Sequence, residues 1–232
     1  MGKMLSEEQV EAYHRDGFLT PVTVMSEDDA LGFRTRPDLL ICGTVLFIKE
    51  AGDPGFVSWH QDAKYMGLAP YEDATTIWLA LSPSTPETGC MRMAPGTHKT
   101  GMRDHDDTYG EQNILTRGQS VNDVDESTAV DLALRPGQMS FHNLAVLHAS
   151  APNTGTDRRI GFVIQSFVKP TVRQTKGETF AQIARGTDPI GNMKHIGRPS
   201  VDMDPADVAM RDRVNAAWSD ILYHGAEKRR DF

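Results

Sequence analysis

The chain has 232 residues, 39% of them hydrophobic and 24% charged, and carries a formal net charge of -8. That length and apolar content favour one sizeable core over several small ones. Lys and Arg are scattered through an acidic chain, which excludes a basic footprint for nucleic acid or an anionic membrane. No apolar stretch reaches the roughly 18–20 residues that span a bilayer, so a cytoplasmic protein handling small molecules is expected. Two cysteines, Cys42 and Cys90, are too few for a disulfide framework or a thiolate metal cage.

Taken in order, Ser6-Glu-Glu-Gln9 caps a first helix that places Val10, Tyr13 and His14 on one side and stops at Asp16-Gly17. Phe18–Val24 reads as a short strand, and Met25–Arg34 as a second helix capped at Ser26. After Arg36-Pro37 comes Leu39–Ile48, a β-rich apolar run too continuous for an exposed edge. The turn Ala51-Gly-Asp-Pro-Gly55 precedes Phe56-Val-Ser-Trp-His-Gln-Asp62, and strands follow at Thr75–Ser82 and Cys90–Ala94. Residues 101–126 are polar and aperiodic, the pattern of a surface flap. Strands resume at Ala129–Leu134 and from Met139 to His148, and Arg158–Val168 is the last clear one. A C-terminal amphipathic helix is expected over about 205–223, with Pro205 at its start.

Short strands punctuated by Gly and Pro predict a mainly β fold, a sandwich or small barrel with flanking helices. The expected organisation is one domain over 1–232. It has an N-terminal segment at 4–36, a β core at 39–172 bearing the flap, and an extension at 173–232.

The motif His-x-Asp occurs three times, at His14/Asp16, His60/Asp62 and His105/Asp107, and with this composition about one copy arises by chance. On an extended strand, side chains at i and i+2 share a face; on a helix they diverge. The first copy lies in a helical segment and the third in a loop that reads as solvated, so only His60 and Asp62 follow a β-type run. Two such ligands need a third to hold Fe(II). His148 is the best placed, at the end of a strand, with His98 and His142 competing. Arg159 opens an apolar strand, where an unpaired charge is costly and a guanidinium suits bidentate capture of a carboxylate.

Five segments in sequence carry a resemblance: Ser58-Trp-His-Gln-Asp62, Ile77–Ser82, Glu87–His98, Leu134-Arg-Pro-Gly-Gln138 and His148–Arg159. Together they resemble the phytanoyl-CoA dioxygenase family of Fe(II)/2-oxoglutarate oxygenases, particularly its bacterial members. The resemblance covers about Thr44 to Val172 and implies a double-stranded β-helix, or jelly roll. It further implies that His60, Asp62 and His148 hold Fe(II), and that Arg159 and Ser150 bind the distal carboxylate of the co-substrate 2-oxoglutarate, with Trp78 lining its pocket. O2 would be the oxidant, and succinate and CO2 the products. Halogenating relatives replace the carboxylate ligand with a small residue, so Asp62 implies hydroxylation of a C–H bond. His98 matches a position that closes a loop and stays outside the metal shell.

Tyr65, Met66, Met93, His142 and Gln165 are candidate substrate contacts by position and alternation. A small-molecule substrate is expected, with no nucleic-acid or membrane partner. The resemblance departs between about Arg34 and Leu40, where this chain has only about five residues and family members carry a longer, largely helical stretch. Two other readings stand beside the oxygenase: a cupin-like metal enzyme that does not use 2-oxoglutarate, and a non-catalytic metal- or ligand-binding module of the same fold.

Overall fold

A computed structural model describes residues 5–23 and 38–230. The helix expected over Met25–Arg34 lies outside them. Helix α1, Glu7–Asp16, begins with a reciprocal cap. The Ser6 hydroxyl accepts from the Gln9 amide at 3.1 Å, and the Gln9 side chain accepts from the Ser6 amide at 2.8 Å. It ends at Gly17, whose φ of 86° favours glycine. A Cβ there would also fall 2.2 Å from the His98 ring, so His98 packs on the helix end and does not line the cavity that holds the candidate ligands.

The chain continues through β1 (Phe18–Thr23), β2 (Leu39–Lys49), β3 (Val57–His60), the single-turn helix α2 (Ala63–Met66), β4 (Leu68–Ala69), β5 (Ala74–Ala80) and β6 (Met91–Met93). Next come β7 (Asp106–Asp107), β8 (Gln119–Ser120), β9 (Val130–Asp131), β10 (Gln138–Asn143), β11 (His148–Ser150) and β12 (Arg159–Val168). The C-terminal part adds β13 (Arg173–Gln174), β14 (Phe180–Arg185), β15 (Lys194–His195) and helix α3 (Pro205–Leu222).

Two sheets form the jelly roll, one ordered β1-β10-β5-β12-β2-β14-β15 and the other β3-β11-β6-β9. Trp78 and Val163 from the larger sheet pack with Met91 and Met93 from the smaller in a shared core. β2 avoids the edge as expected, since it pairs with β12 and β14. Its shielding is one-sided, however: Lys49 is fully buried, whereas Leu46 is 55% and Ile48 42% exposed. Alternation with period two therefore holds inside a run that reads as continuously apolar.

Three expectations need correction. First, β12 is not the last strand, because β14 joins β2 and β15 extends the sheet; only the first two residues of β14 are buried, so no apolar alternation marks it. Second, the flap at 101–126 is partly folded onto the body, with Asn113, Gln119 and Val121 buried. Val121 packs behind the smaller sheet with Trp59, Leu147 and Ala149. Third, α3 is less amphipathic than its sequence suggests, since Ile221 is its only buried residue. Among the described residues, no helix is long and apolar enough to cross a membrane.

Candidate active site

His148 on β11 pairs with His60 on β3, and the register slips between this pair and Ser150–Val57. The bulge lets both Val57 and His60, three residues apart, line the inner cavity. His60 ends its strand. Asp62 lies beyond it with φ -53° and ψ -41°, at the cap position of α2. The two ligands therefore do not share an extended strand, as their spacing suggested; a turn at Gln61 returns the carboxylate toward the imidazoles.

The three side chains converge. His60 Nε2 lies 3.6 Å and His148 Nε2 3.8 Å from Asp62 Oδ1, and their ligating atoms all fall within 4.8 Å of one another. His60 Nδ1 meets the Ser58 carbonyl at 2.8 Å and His148 Nδ1 the Val146 carbonyl at 3.1 Å. Those carbonyls fix the proton on Nδ1 and turn the Nε2 lone pairs toward the common centre. Burial, with the neighbouring His60, pushes the His148 pKa well below its usual value, so the ring is neutral and able to ligate. Two imidazole nitrogens and a carboxylate oxygen suit Fe(II).

Asp62 Oδ2 faces away from the centre, accepting from the Thr76 hydroxyl at 3.1 Å and lying 3.5 Å from His142 Nε2. Burial alone would raise the Asp62 pKa, but the surrounding imidazoles, His148 foremost, outweigh it and hold the carboxyl well below the usual range. His142 thus lies against the candidate ligand Asp62 while also lining the cavity. Gln61, fully buried, fixes the turn through its side chain, which donates to the carbonyls of Ala145 and Gly101 and accepts from the Arg103 amide. Its own amide donates to His105 Nε2 at 3.0 Å. His105 is therefore not the solvated residue the sequence suggested. Burial draws its pKa down to about 4, and the neutral ring ties the flap to the ligand turn.

The other end of the cavity is cationic. Arg159 is 1% exposed, donates to the Gly89 carbonyl at 2.8 Å, and leaves Nε without a partner. Its guanidinium sits 5.3 Å from the Trp78 ring centroid. Trp78 in turn packs on Gly161, where a Cβ would fall 2.0 Å from the indole, so only glycine admits this arrangement. Directly across from Arg159 in the sheet is Lys49, a residue sequence reasoning missed. Its Nζ donates to Ser150 Oγ at 2.8 Å and to the Ala151 carbonyl at 2.5 Å. Burial, and then Arg159, lower the Lys49 pKa to about 7, and burial lowers that of Arg159 to about 10. Like charges placed opposite one another destabilise a sheet. Among the described residues, neither has a carboxylate within ion-pair distance.

The cavity, about 170 Å³, connects the two ends. Tyr65 and Met66 line it, Tyr65 stacking on His60 at 5.7 Å. Met93 does not; it is fully buried in the core, opposite His148 in the sheet, and Met91 lines the cavity instead. Gln165 is on β12, and its side chain lies outside the described set. Residues the sequence did not single out, Ile114, Leu115, Trp218 and Leu222, complete the wall.

Comparison with known proteins points the same way. Residues 14–161 match the family described as phytanoyl-CoA dioxygenase (PhyH). The human peroxisomal phytanoyl-CoA dioxygenase is 27% identical over 123 residues, 51% of this chain and 36% of that protein. The 1-deoxypentalenic acid 11-beta-hydroxylase of Streptomyces arenae is 31% identical over 116 residues, 47% of this chain and 39% of that one. The chain thus spans well under two thirds of the length of these relatives. In structure it is similar to apo ThoJ, described as a non-heme monooxygenase, with a TM-score of 0.79 and 29% identity over 94% of this chain and 99% of that one.

Proposed function

The chain belongs to the phytanoyl-CoA dioxygenase family, and on that premise we propose that it is an Fe(II)- and 2-oxoglutarate-dependent dioxygenase hydroxylating a C–H bond of a small metabolite. The observation that carries this reading is Arg159, buried in the wall of the cavity that also bears the triad, with a second buried cation, Lys49, directly across from it in the sheet and, among the described residues, no carboxylate partner for either. A buried, unpaired charge pair of one sign is costly unless an anion joins it. A metal-only cupin-like enzyme or a simple metal-binding module has no use for that arrangement.

In this reading His60, Asp62 and His148 would hold the iron, and Thr76 and His142 keep Asp62 Oδ2 engaged so that Oδ1 stays turned toward the two imidazoles. Fe(II) bound there would supply, with 2-oxoglutarate and O2, the oxidising power for C–H hydroxylation, the co-substrate being converted to succinate and CO2. Arg159 offers its planar fork to the distal carboxylate. Lys49 donates to Ser150 Oγ and so leaves the hydroxyl proton of Ser150 free to donate to the same carboxylate. Trp78 walls the co-substrate from the core and excludes water from its chain.

The test is an anaerobic titration with Fe(II) and then 2-oxoglutarate, followed by the visible charge-transfer absorption of the chelate and, in air, by succinate release. Iron binding with no response to 2-oxoglutarate would turn the reading to the cupin-like enzyme. Binding of neither would leave the non-catalytic module.

A pH dependence follows from Lys49. With its pKa near 7 in the empty protein, the ammonium is charged below that pH and loses its proton above it. Capture of a carboxylate there then requires proton uptake, and 2-oxoglutarate affinity falls by up to about tenfold per pH unit above 7. In Lys49→Met the slope disappears and affinity at pH 7 drops about tenfold, with iron binding unchanged. Equilibrium titrations between pH 6 and 9 measure both effects.

A further inference from the structure

Beyond the triad and the cationic end, the cavity is walled by two segments far apart in sequence: Ile114, Leu115 and Thr116 from the flap, and Trp218 and Leu222 from α3. The residues after α3 hold them together. Arg230 donates to the carbonyls of Asn113 at 2.9 Å and Gly110 at 2.6 Å, and its amide donates to the Tyr223 hydroxyl at 3.1 Å. Arg117 of the flap reaches back to the His224 carbonyl at 3.1 Å and is itself oriented by Asp107 at 2.8 Å. Lys228 Nζ sits 4.6 Å above the Tyr109 ring. The Arg230–Asn113, Arg230–Gly110, Arg117–His224 and Lys228–Tyr109 contacts tie the C-terminal segment to the stretch 109–117, while Tyr223 and Asp107 orient the two arginines from within their own segments.

The charge inventory of the cavity narrows what can enter. Among the described residues, Asp62 and Arg159 are the only Asp, Glu, Lys or Arg side chains lining it. In the reading above both are committed, one to the metal and one to the co-substrate. An ionised group entering beside Ile114, Leu115, Trp218 and Leu222 would be desolvated with no partner, at a cost of several kcal/mol. We propose that Trp218 and Leu222, with Ile114 and Leu115, are the specificity wall, selecting an uncharged, predominantly apolar group of the substrate, and that Arg230 is the positioning residue that holds this wall together. The identity of this wall as the substrate side of the cavity rests on the dioxygenase reading; its apolar selectivity does not.

The experiment uses the full chain and a neutral fluorescent probe of apolar sites, N-phenyl-1-naphthylamine, titrated into the parent, Leu222→Lys, Trp218→Ala and Arg230→Ala proteins. The charge-transfer band of the Fe(II)/2-oxoglutarate chelate is recorded alongside. The parent binds one equivalent of probe. Leu222→Lys weakens binding by about tenfold or more by placing a charge in the wall, and Trp218→Ala, which adds no charge and controls for misfolding, by about tenfold through lost apolar contact. Arg230→Ala weakens it several-fold and also speeds tryptic cleavage at Arg103 and Arg117 in the flap. The band survives in all three. Failure of the parent to bind the probe, or unchanged affinity in Leu222→Lys and Trp218→Ala, overturns the wall. Unchanged affinity and cleavage in Arg230→Ala overturn its positioning role. Loss of the band in every protein, parent included, would count against the dioxygenase reading while leaving the probe result to decide this one.

Discussion

Asp62→Ala abolishes iron retention and turnover. In the proposed ligand set the carboxylate is the oxygen donor, and its Oδ1 lies 3.6 and 3.8 Å from the two imidazole nitrogens. Without it the two rings alone face the centre, and no other described acidic side chain lines the cavity to replace it. The expected loss is about 10³-fold or more, some 4 kcal/mol at about 1.36 kcal/mol per decade. Equilibrium dialysis with Fe(II) and succinate release measure it. Thr76→Val, which leaves the ligand in place and removes only the hydrogen bond to Oδ2, costs about 10- to 100-fold, as expected for a group that orients a ligand. Equal losses in the two variants would mean that Asp62 serves as a structural acceptor, not a ligand.

Arg159→Leu separates the two ends of the cavity. Iron binding stays, while 2-oxoglutarate affinity falls by about 10²-fold or more, the range of about 2–5 kcal/mol for removing one member of a buried charged pair. Stability of the empty protein moves the other way. The guanidinium is 1% exposed with Nε unpartnered and stands opposite Lys49, so a leucine removes both a desolvation cost and a repulsion. The melting temperature without ligand is unchanged or higher. Arg159→Lys keeps the charge but not the planar fork and recovers only part of the affinity. A variant that loses 2-oxoglutarate and iron together, or melts early without ligand, would assign Arg159 to the scaffold.

The strand series and the convergence of His60, Asp62 and His148 were readable because each rests on a local signal: turn residues, alternation, and a motif whose neighbours distinguish it from its two copies. Lys49 was hidden because a lysine at the end of an apolar run reads as the residue that stops a strand. The inward series Val45, Phe47, Lys49 was available in the sequence. Its partner Arg159 emerges only from the register between β2 and β12. Gln61 reads as a spacer between ligands, and its role depends on carbonyls at Gly101 and Ala145 that folding brings close. The wall at Ile114, Leu115, Trp218 and Leu222 was illegible for the same reason. Each half is a few apolar residues in a polar stretch, and neither has meaning without the other.

The facing of Lys49 and Arg159 has a further consequence, for folding. A chain that encloses Arg159 against Lys49 without a counter-ion reaches its native state against their repulsion, and on the proposed reading a carboxylate of the co-substrate, drawn to Arg159 in the cavity wall, supplies the missing charge. Any ligand that binds only the folded form shifts the equilibrium, by about 2.7 kcal/mol at a hundred times its dissociation constant. That is a large share of the margin by which small proteins stay folded. On this reading the supply of co-substrate governs how long the protein survives as well as how fast it works: when 2-oxoglutarate is scarce, the empty chain unfolds more often and is the first to be degraded.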